Sequence, residues 1–361
     1  MTMLFMRSRK TAQCNNRVPM TTLSLPRPRV LSGMRPTGAL HLGHYHGALK
    51  NWVALQATHD CFFFVADWHA LTTQFQDRHD RQSIEHNVYD MVIDWLAAGI
   101  DPEQATLFIQ SRMPEHAELF TLLSMSTPSS WLERVPSYKD QVSKNAELAT
   151  FGFLGYPLLQ AADILTYKAQ FVPVGDDQAA HVELTREVAR RFNRIYSPDA
   201  VVLPEPQALL TDISRLPGLD GQKMSKSAFA NGSNAIAMRE APAVVETKIR
   251  TMPTDPHRVR RSDVGNPARC PVWPLHQVYT DAPTRADLAT GCKTAAIGCL
   301  DCKQPLIEAI QREQAPWRAR ANEYLANPKQ VHWIVEVGAE RARAVARKTL
   351  KEVRSAMGLA Y

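Results

Sequence analysis

Three groups of residues in this chain have the types and the spacing to do chemistry. The first is His41-Leu42-Gly43-His44. Two imidazoles three positions apart share one face of a helix, and a helix start offers free backbone N–H groups to an anion. Gly43 has no side chain, so a flat ring can approach the backbone closely, and both histidines can donate to one phosphate as charge builds on it. The second group is Lys223-Met224-Ser225-Lys226-Ser227, which follows Pro217-Gly218-Leu219-Asp220-Gly221. Two ammonium groups on a glycine-bearing loop can meet a polyphosphate and neutralise a departing pyrophosphate. The third is Cys270, Cys292, Cys299 and Cys302, spaced C-x21-C-x6-C-x2-C. Cys299-x-x-Cys302 can chelate one centre from a single turn, and Pro271 stiffens the chain after Cys270. Four thiolates serve zinc or a cubane iron–sulfur cluster, and the spacing does not choose between them.

The elements around these groups imply an α/β fold. Val30 to Ser32 reads as a strand running into Gly33-Met34-Arg35-Pro36-Thr37-Gly38, and apolar residues at helical spacing follow over 44–57. Residues 61–66, Cys-Phe-Phe-Phe-Val-Ala, form a continuous apolar run that suits a strand buried on both faces. A helix over 83–98 stopped by Gly99, a strand over 105–109 and a helix over 115–126 continue the alternation. Such an alternation predicts right-handed crossovers and a Rossmann-like, doubly wound parallel sheet. Residues 131–168 read as helical, 171–174 and 201–203 as strands, and 178–193 as a helix. A Gly- and Lys-rich loop covers 215–233, and helices follow over 244–251, 304–325 and 339–357. The expected organisation is a poorly ordered extension over 1–29, a catalytic domain with a helical insertion over 30–230, and an α-helical C-terminal domain carrying the four cysteines over 231–361. Ligands of an open parallel sheet bind beyond the carboxyl ends of its strands, where the histidine motif lies.

Composition narrows the class. The chain has 361 residues, 45% of them hydrophobic and 22% charged, which suits a globular cytosolic protein of one large or two ordinary domains. No apolar stretch is long enough to span a membrane. The formal net charge of +6 comes from the first 29 residues, which hold Arg7, Arg9, Lys10, Arg17, Arg27 and Arg29 and no acid. The body is neutral, so bulk charge does not mark a nucleic-acid binder. The proline-bearing N-terminal segment reads as a tail, with Met20 an alternative start and a transit peptide or RNA-binding arm as the other readings. Cys14 lies in that tail and Cys61 in a core strand. Clustering of the other four cysteines fits a metal site in a reducing compartment better than a secreted disulfide framework.

Taken singly, the histidine pair and the lysine loop match solvated surface features. Together, His-Leu-Gly-His near the N-terminus and Lys-Met-Ser-Lys-Ser about 180 residues on resemble the joint signature of class I aminoacyl-tRNA synthetases. The tryptophan-specific family is resembled from Val30 onward. The runs are Ser32 to Gly38, Ala66-Asp67-Trp68-His69-Ala70, Tyr156-Pro157 with Ala161-Ala162-Asp163-Ile164-Leu165, Val172 to Gln178 with His181 and Glu183 to Arg186, and Ala356 to Leu359. The resemblance implies ATP-dependent activation of L-tryptophan and its transfer to tRNA(Trp). It gives Asp163 the indole N–H and Tyr156, Gln160 and Gln178 the rest of the amino acid. ATP would be held by Arg35, Pro36, Thr37, Gly43, His44, Gly175, Asp176, Asp177, Lys223, Met224, Ser225, Lys226 and Ser227, with His41, His44, Lys223 and Lys226 catalytic and Mg²⁺ accompanying the nucleotide. It also implies a cytoplasmic homodimer whose C-terminal helices face the anticodon. The text around the cysteines resembles a subgroup that carries a [4Fe-4S] cluster. Gln160 departs from the methionine of many tryptophan enzymes and matches the Tyr-x-x-x-Gln-x-x-Asp of the tyrosine family, so a tyrosine–tRNA ligase is one alternative. A catalytically silent RNA-binding paralogue is another, and a small-molecule adenylyltransferase of related fold is a third.

Overall fold

Five parallel strands form one sheet in the order β3-β2-β1-β4-β5. They are β1 Arg29–Met34, β2 Asp60–Val65, β3 Ala105–Ile109, β4 Phe171–Val174 and β5 Gln207–Leu210. The computed structural model describes residues 27–75, 78–175, 178–210, 216–221, 224 and 234–361, without the side chains of 78–83 and 210. Residues 1–26 of the expected tail and the greater part of the lysine loop lie outside that set. Arg29 already belongs to the sheet, donating to Asp60 at 2.9 Å and to the Tyr167 carbonyl at 2.7 Å.

Every residue of β2 after Asp60 is buried, as a strand covered on both faces requires. Trp52 stacks on Phe63 with ring centroids 4.4 Å apart, and Phe64 stacks on Phe108. β1 has β2 on one side and β4 on the other. The chain therefore winds first one way and then the other, and a crevice opens between the carboxyl ends of β1 and β4.

Helix ends follow local chemistry. Gly99, with φ +114°, stops the helix Arg78–Ala98. The Thr150 side chain accepts from Phe153 N to start Phe151–Thr166, and Asp281 does the same for Thr284 N. Three expectations change in detail. The helix over 44–57 is a short α turn, a π turn over Tyr45–Leu49 and an α segment Lys50–Leu55. The helical stretch over 131–168 is broken into Ser129–Glu133, Pro136–Lys144, a 3₁₀ turn and Phe151–Thr166, with Pro136 opening the second piece. Residues 201–203 are not a strand. The Asn193 side chain accepts the N–H groups of Val202 and Leu203 at 3.1 and 3.0 Å and donates to the Leu203 carbonyl at 2.7 Å, which takes these groups away from any ladder. The fifth strand starts at Gln207 instead.

Chain returning from the lysine loop is clasped to the histidine motif. Leu42 N donates to Ile236 O at 3.0 Å, Met238 N donates to Leu40 O at 2.9 Å, and His41 bridges Ala237. Just beyond, Arg239 donates to Asp94 and contacts Asp90, both at 2.5 Å. Burial pushes the Asp94 carboxyl up to about 7, while Arg239 pulls it down. A guanidinium at this range keeps the pair ionic, in line with the raised pKa of Arg239 itself.

The last helix, Pro328–Ala356, packs on strand β3. Gly338 lies so close to that strand that a Cβ would overlap the Leu107 carbonyl oxygen. Ala339, Ala342 and Ala346 then share a core with Leu31, Phe62, Phe64 and Phe108. Gly338→Ala should destabilise the fold by about 2 kcal/mol through overpacking, although alanine is the better helix former. Urea unfolding measures this, and equal or higher stability would contradict the packing.

Candidate active site

A cavity of about 860 Å³ opens at the crevice between β1 and β4. Ser32 to Arg35 line it from the end of β1, Val172 to Gly175 from the end of β4, and Tyr156, Gln160 and Asp163 from one face of the helix Phe151–Thr166. Those three residues fall at positions i, i+4 and i+7, the spacing of a single helix face. Gly33 cannot carry a side chain, because a Cβ would stand 2.7 Å from the Phe64 ring.

Asp163 is 1% exposed and forms part of the floor. Its Oδ2 accepts from His69 Nε2 at 2.7 Å, and its Oδ1 accepts from His116 Nδ1 at 2.6 Å and from Gln110 Nε2 at 2.8 Å. His116 Nε2 continues to the Tyr167 hydroxyl at 2.6 Å. Burial alone would push the carboxyl pKa up, but the two histidines outweigh it and hold the pKa below the ordinary value. Tyr167 is driven far the other way by burial and by the same carboxylate. A carboxylate has about four lone-pair positions, so three donors leave room for one more.

A second network lies at Tyr156, on the same helix face. His181 Nδ1 meets Gln178 Oε1 at 2.9 Å, and its Nε2 lies 3.0 Å from Ser137 Oγ and 3.2 Å from the Tyr156 hydroxyl. Ser137 and Tyr156 also contact one another. Gln178 Oε1 only accepts, so Nδ1 donates to it. Burial raises the Tyr156 pKa, opposed by the Ser137 hydrogen bond and by the charge of Arg35 nearby.

Of the residues singled out in the sequence, Arg35, Tyr156, Gln160, Asp163, Gly175 and Gln178 share this cavity. His41, Gly43 and His44 form a separate group at the helix start and do not line it. There the two rings lie 3.6 Å apart, and His41 N donates to His44 Nδ1 at 3.1 Å. Ala48 and Trp52, further along the same segment, reach the cavity wall. Met224 is buried, and a Cβ on Gly43 would stand 3.5 Å from its Cβ, so the lysine loop touches the histidine motif. Pro36 and Thr37 belong to the turn after β1, where Thr37 N donates to Arg35 O at 2.9 Å. Asp176, Asp177, Lys223, Ser225, Lys226 and Ser227 lie outside the described residues. Sequence reasoning gave no role to His69, Gln110, His116, Ser137, Tyr167 or His181. His69 and His181 sat within quoted runs, but nothing in their spacing marks them as partners of Asp163 and Tyr156.

Cys270, Cys292, Cys299 and Cys302 line one small cavity with Thr254, Asp255, Arg258, Val272 and Lys303. All four are free thiols. Among the described residues, no group of three or more His, Cys, Asp or Glu side chains is set to hold a metal ion. Burial, then the three other cysteines, push the Cys302 thiol up to about 12; burial also raises Cys270 and Cys292. Burial lowers the Lys303 pKa, and the cysteines oppose that shift. Gly265 donates to the Cys292 carbonyl at 2.9 Å, and a Cβ there would stand 2.5 Å from the Cys292 sulfur. Asp255, paired with Arg269 at 3.0 Å, also accepts from Asn266 N at 2.8 Å and ties the start of this loop to its end.

Comparison with known proteins agrees with this architecture. Residues 24–313 match the tRNA synthetases class I (W and Y). A tryptophan–tRNA ligase of Ralstonia nicotianae is 54% identical, covering 92% of this chain and 99% of the relative. That of Thermotoga maritima is 49% identical, covering 92% and 100%. The tryptophanyl-tRNA synthetase of Campylobacter jejuni, solved in complex with ADP and tryptophan, superposes with a TM-score of 0.81 at 32% identity, over 92% of this chain and all of that one. With the parallel sheet, the crevice at its switch point and the buried carboxylate on the floor, the matches establish that this chain belongs to the tryptophan–tRNA ligases, class I synthetases that join tryptophan to tRNA at the expense of ATP.

Proposed function

We propose that the crevice binds L-tryptophan with its indole N–H on Asp163 and its polar end at Tyr156 and Gln178, with Gln160 beside the ring. The carrying observation is the ionised, fully buried Asp163, with three donors in place and one acceptor position left. Indole brings one donor to that position. Phenylalanine brings none and would leave the carboxylate short of a partner, at about 1–3 kcal/mol. The His181 network fixes Tyr156 and Gln178 in advance, which lowers the ordering cost on binding.

ATP, entering as its magnesium complex, is assigned to Arg35, Pro36, Thr37, Gly43, His44, Gly175, Asp176, Asp177 and the loop 223–227. The tryptophan carboxylate attacks the α-phosphorus, the bond to the bridging oxygen of the β-phosphate breaks, and tryptophanyl-adenylate and diphosphate result. The attacking group is already an anion, so no general base is needed. His41 and His44 steady the α-phosphate, and Lys223 and Lys226 neutralise the leaving diphosphate. The clasp between 40–42 and 236–238 supports this reading, since it ties the return of the lysine loop to the histidine motif. A terminal ribose hydroxyl of tRNA(Trp) then takes the acyl group. The helical part, 231–361, is assigned to the anticodon side of the tRNA, and the enzyme is read as a cytoplasmic homodimer. Among the described residues, no helix is long and apolar enough to cross a membrane.

The four-cysteine cavity is assigned to a [4Fe-4S] cluster. The donor set suits such a group: four free thiols line one cavity, and burial raises the pKa of Cys270, Cys292 and Cys302, so that these sulfurs become thiolates when a cation binds. Four thiolates would also serve a single zinc; the cluster is preferred on the resemblance of residues 265–273 and 297–299 to cluster-bearing relatives. When bound, the cluster supplies a cross-link between residues 270 and 302, and no step of the ligase reaction passes through it.

Three outcomes test these assignments. ATP–pyrophosphate exchange should proceed with tryptophan and not with tyrosine; exchange with tyrosine alone would assign the crevice to the phenol. Asp163→Asn should cut kcat/KM for tryptophan by about 10- to 100-fold with the KM for ATP unchanged. Lys223→Ala should cut exchange by about 100-fold or more at an unchanged melting temperature, and an unchanged rate would remove Lys223 from catalysis. The Asp163 pKa is lower folded than unfolded, so its stabilisation is complete above the unfolded value of about 4 and is lost as pH falls below it. Urea midpoints measured down that acid limb should fall less steeply for Asp163→Asn than for the wild type.

A further inference from the structure

Two cations are buried beside the four cysteines, and neither has a carboxylate partner among the described residues. Arg258 is 8% exposed and Lys303 3%, and both line the cysteine cavity. Lys303 Nζ donates to the carbonyls of Arg250 and Met252, at 2.8 and 2.5 Å. An ammonium has three protons, so one remains uncommitted. Arg258 Nη2 donates to the carbonyls of Arg261 and Ile297, at 2.9 and 2.6 Å. Its buried Nε finds no hydrogen-bond partner, and its Cδ packs beside Gly265, whose other neighbour is the Cys292 sulfur. The buried carboxylate here, Asp255, is already matched by Arg269 at 3.0 Å. Two buried charges with no carboxylate partner among the described residues are costly unless an anion joins them.

We propose that Arg258 and Lys303 are the buried countercharges of the four-cysteine site, neutralising the net anion that forms when its thiolates take up a cluster. Four thiolates bring more negative charge than a cubane core brings positive, so the loaded site is an anion, and two fixed cations restore balance. Lys303 has one N–H, and Arg258 its Nε–H, to offer a sulfur. Hydrogen bonds to the sulfurs and net charge set the reduction potential of such clusters. A nearby positive charge favours the reduced, more negative state and so raises the potential. The proposal rests on the cluster reading given above.

The test uses the full chain purified anaerobically, with iron and sulfide analysis followed by a reductive titration read by electron paramagnetic resonance. Lys303→Gln and Arg258→Gln keep a donor for the backbone carbonyls but remove the charge. Each should lower the one-electron midpoint by at least about 59 mV, a tenfold shift in the reduction equilibrium, with the melting temperature of the iron-free protein unchanged. Lys303→Arg and Arg258→Lys should hold the wild-type value. Loss of iron from a glutamine variant but not from its charge-keeping counterpart supports the proposal equally. Iron in every variant with unmoved potentials, or equal loss from both members of a pair, overturns it and leaves the cluster reading standing. No iron in the wild-type protein overturns both.

Discussion

A carboxylate taken wholly out of water is the constraint around which the crevice and the elements that flank it are arranged. Asp163 could not remain charged at the base of the crevice without donors, and three different elements supply them. His69 comes from the turn after β2, Gln110 from the end of β3, and His116 from the helix that follows β3. Each hydrogen bond joins one of these elements to the helix Phe151–Thr166. The carboxylate assigned to the indole is therefore also a joint of the fold, and the crevice is shaped before any ligand arrives. Polar networks of this kind specify a geometry when every member is satisfied.

Much of this was legible in the sequence, for identifiable reasons. The Phe-Phe-Phe run of β2, the stop at Gly99 and the strand-helix alternation are short-range patterns, and the sheet follows them closely. Tyr156, Gln160 and Asp163 share a helix face by spacing alone. His116 and Tyr167 could not be found this way. Their link to Asp163 depends on how a helix over 114–124 packs on one over 151–166, and side-chain pattern does not encode that crossing. The strand expected over 201–203 failed because one asparagine, Asn193, satisfies its backbone instead. The cysteine spacing showed that a four-thiol site was possible. Arg258 and Lys303 carried no such signal, since a basic residue beside a cysteine is unremarkable until both prove to be buried.

The histidine and lysine motifs lie far apart in sequence, but the backbone draws them together. Hydrogen bonds between 40–42 and 236–238 place the return of the loop against the start of the first helix, and Arg239 anchors that return to Asp90 and Asp94. The exit of the loop is thereby fixed at residues 236–239. The same segment leads into the helices that hold the cysteines, and His46 extends the junction by contacting Tyr279 at 2.9 Å and Glu313 at 3.1 Å.

The close fit of Gly338 against Leu107 has a consequence for biosynthesis. One face of the sheet is covered by the final helix, so Leu31, Phe62, Phe64 and Phe108 have no complete apolar cover until residues 338–346 emerge from the ribosome. Translation at about 5–20 residues per second leaves that face open for many seconds after the strands themselves have been made. During that interval the nascent chain presents an apolar surface rich in aromatic residues, and the emergence of residues 338–346 is the event that withdraws it.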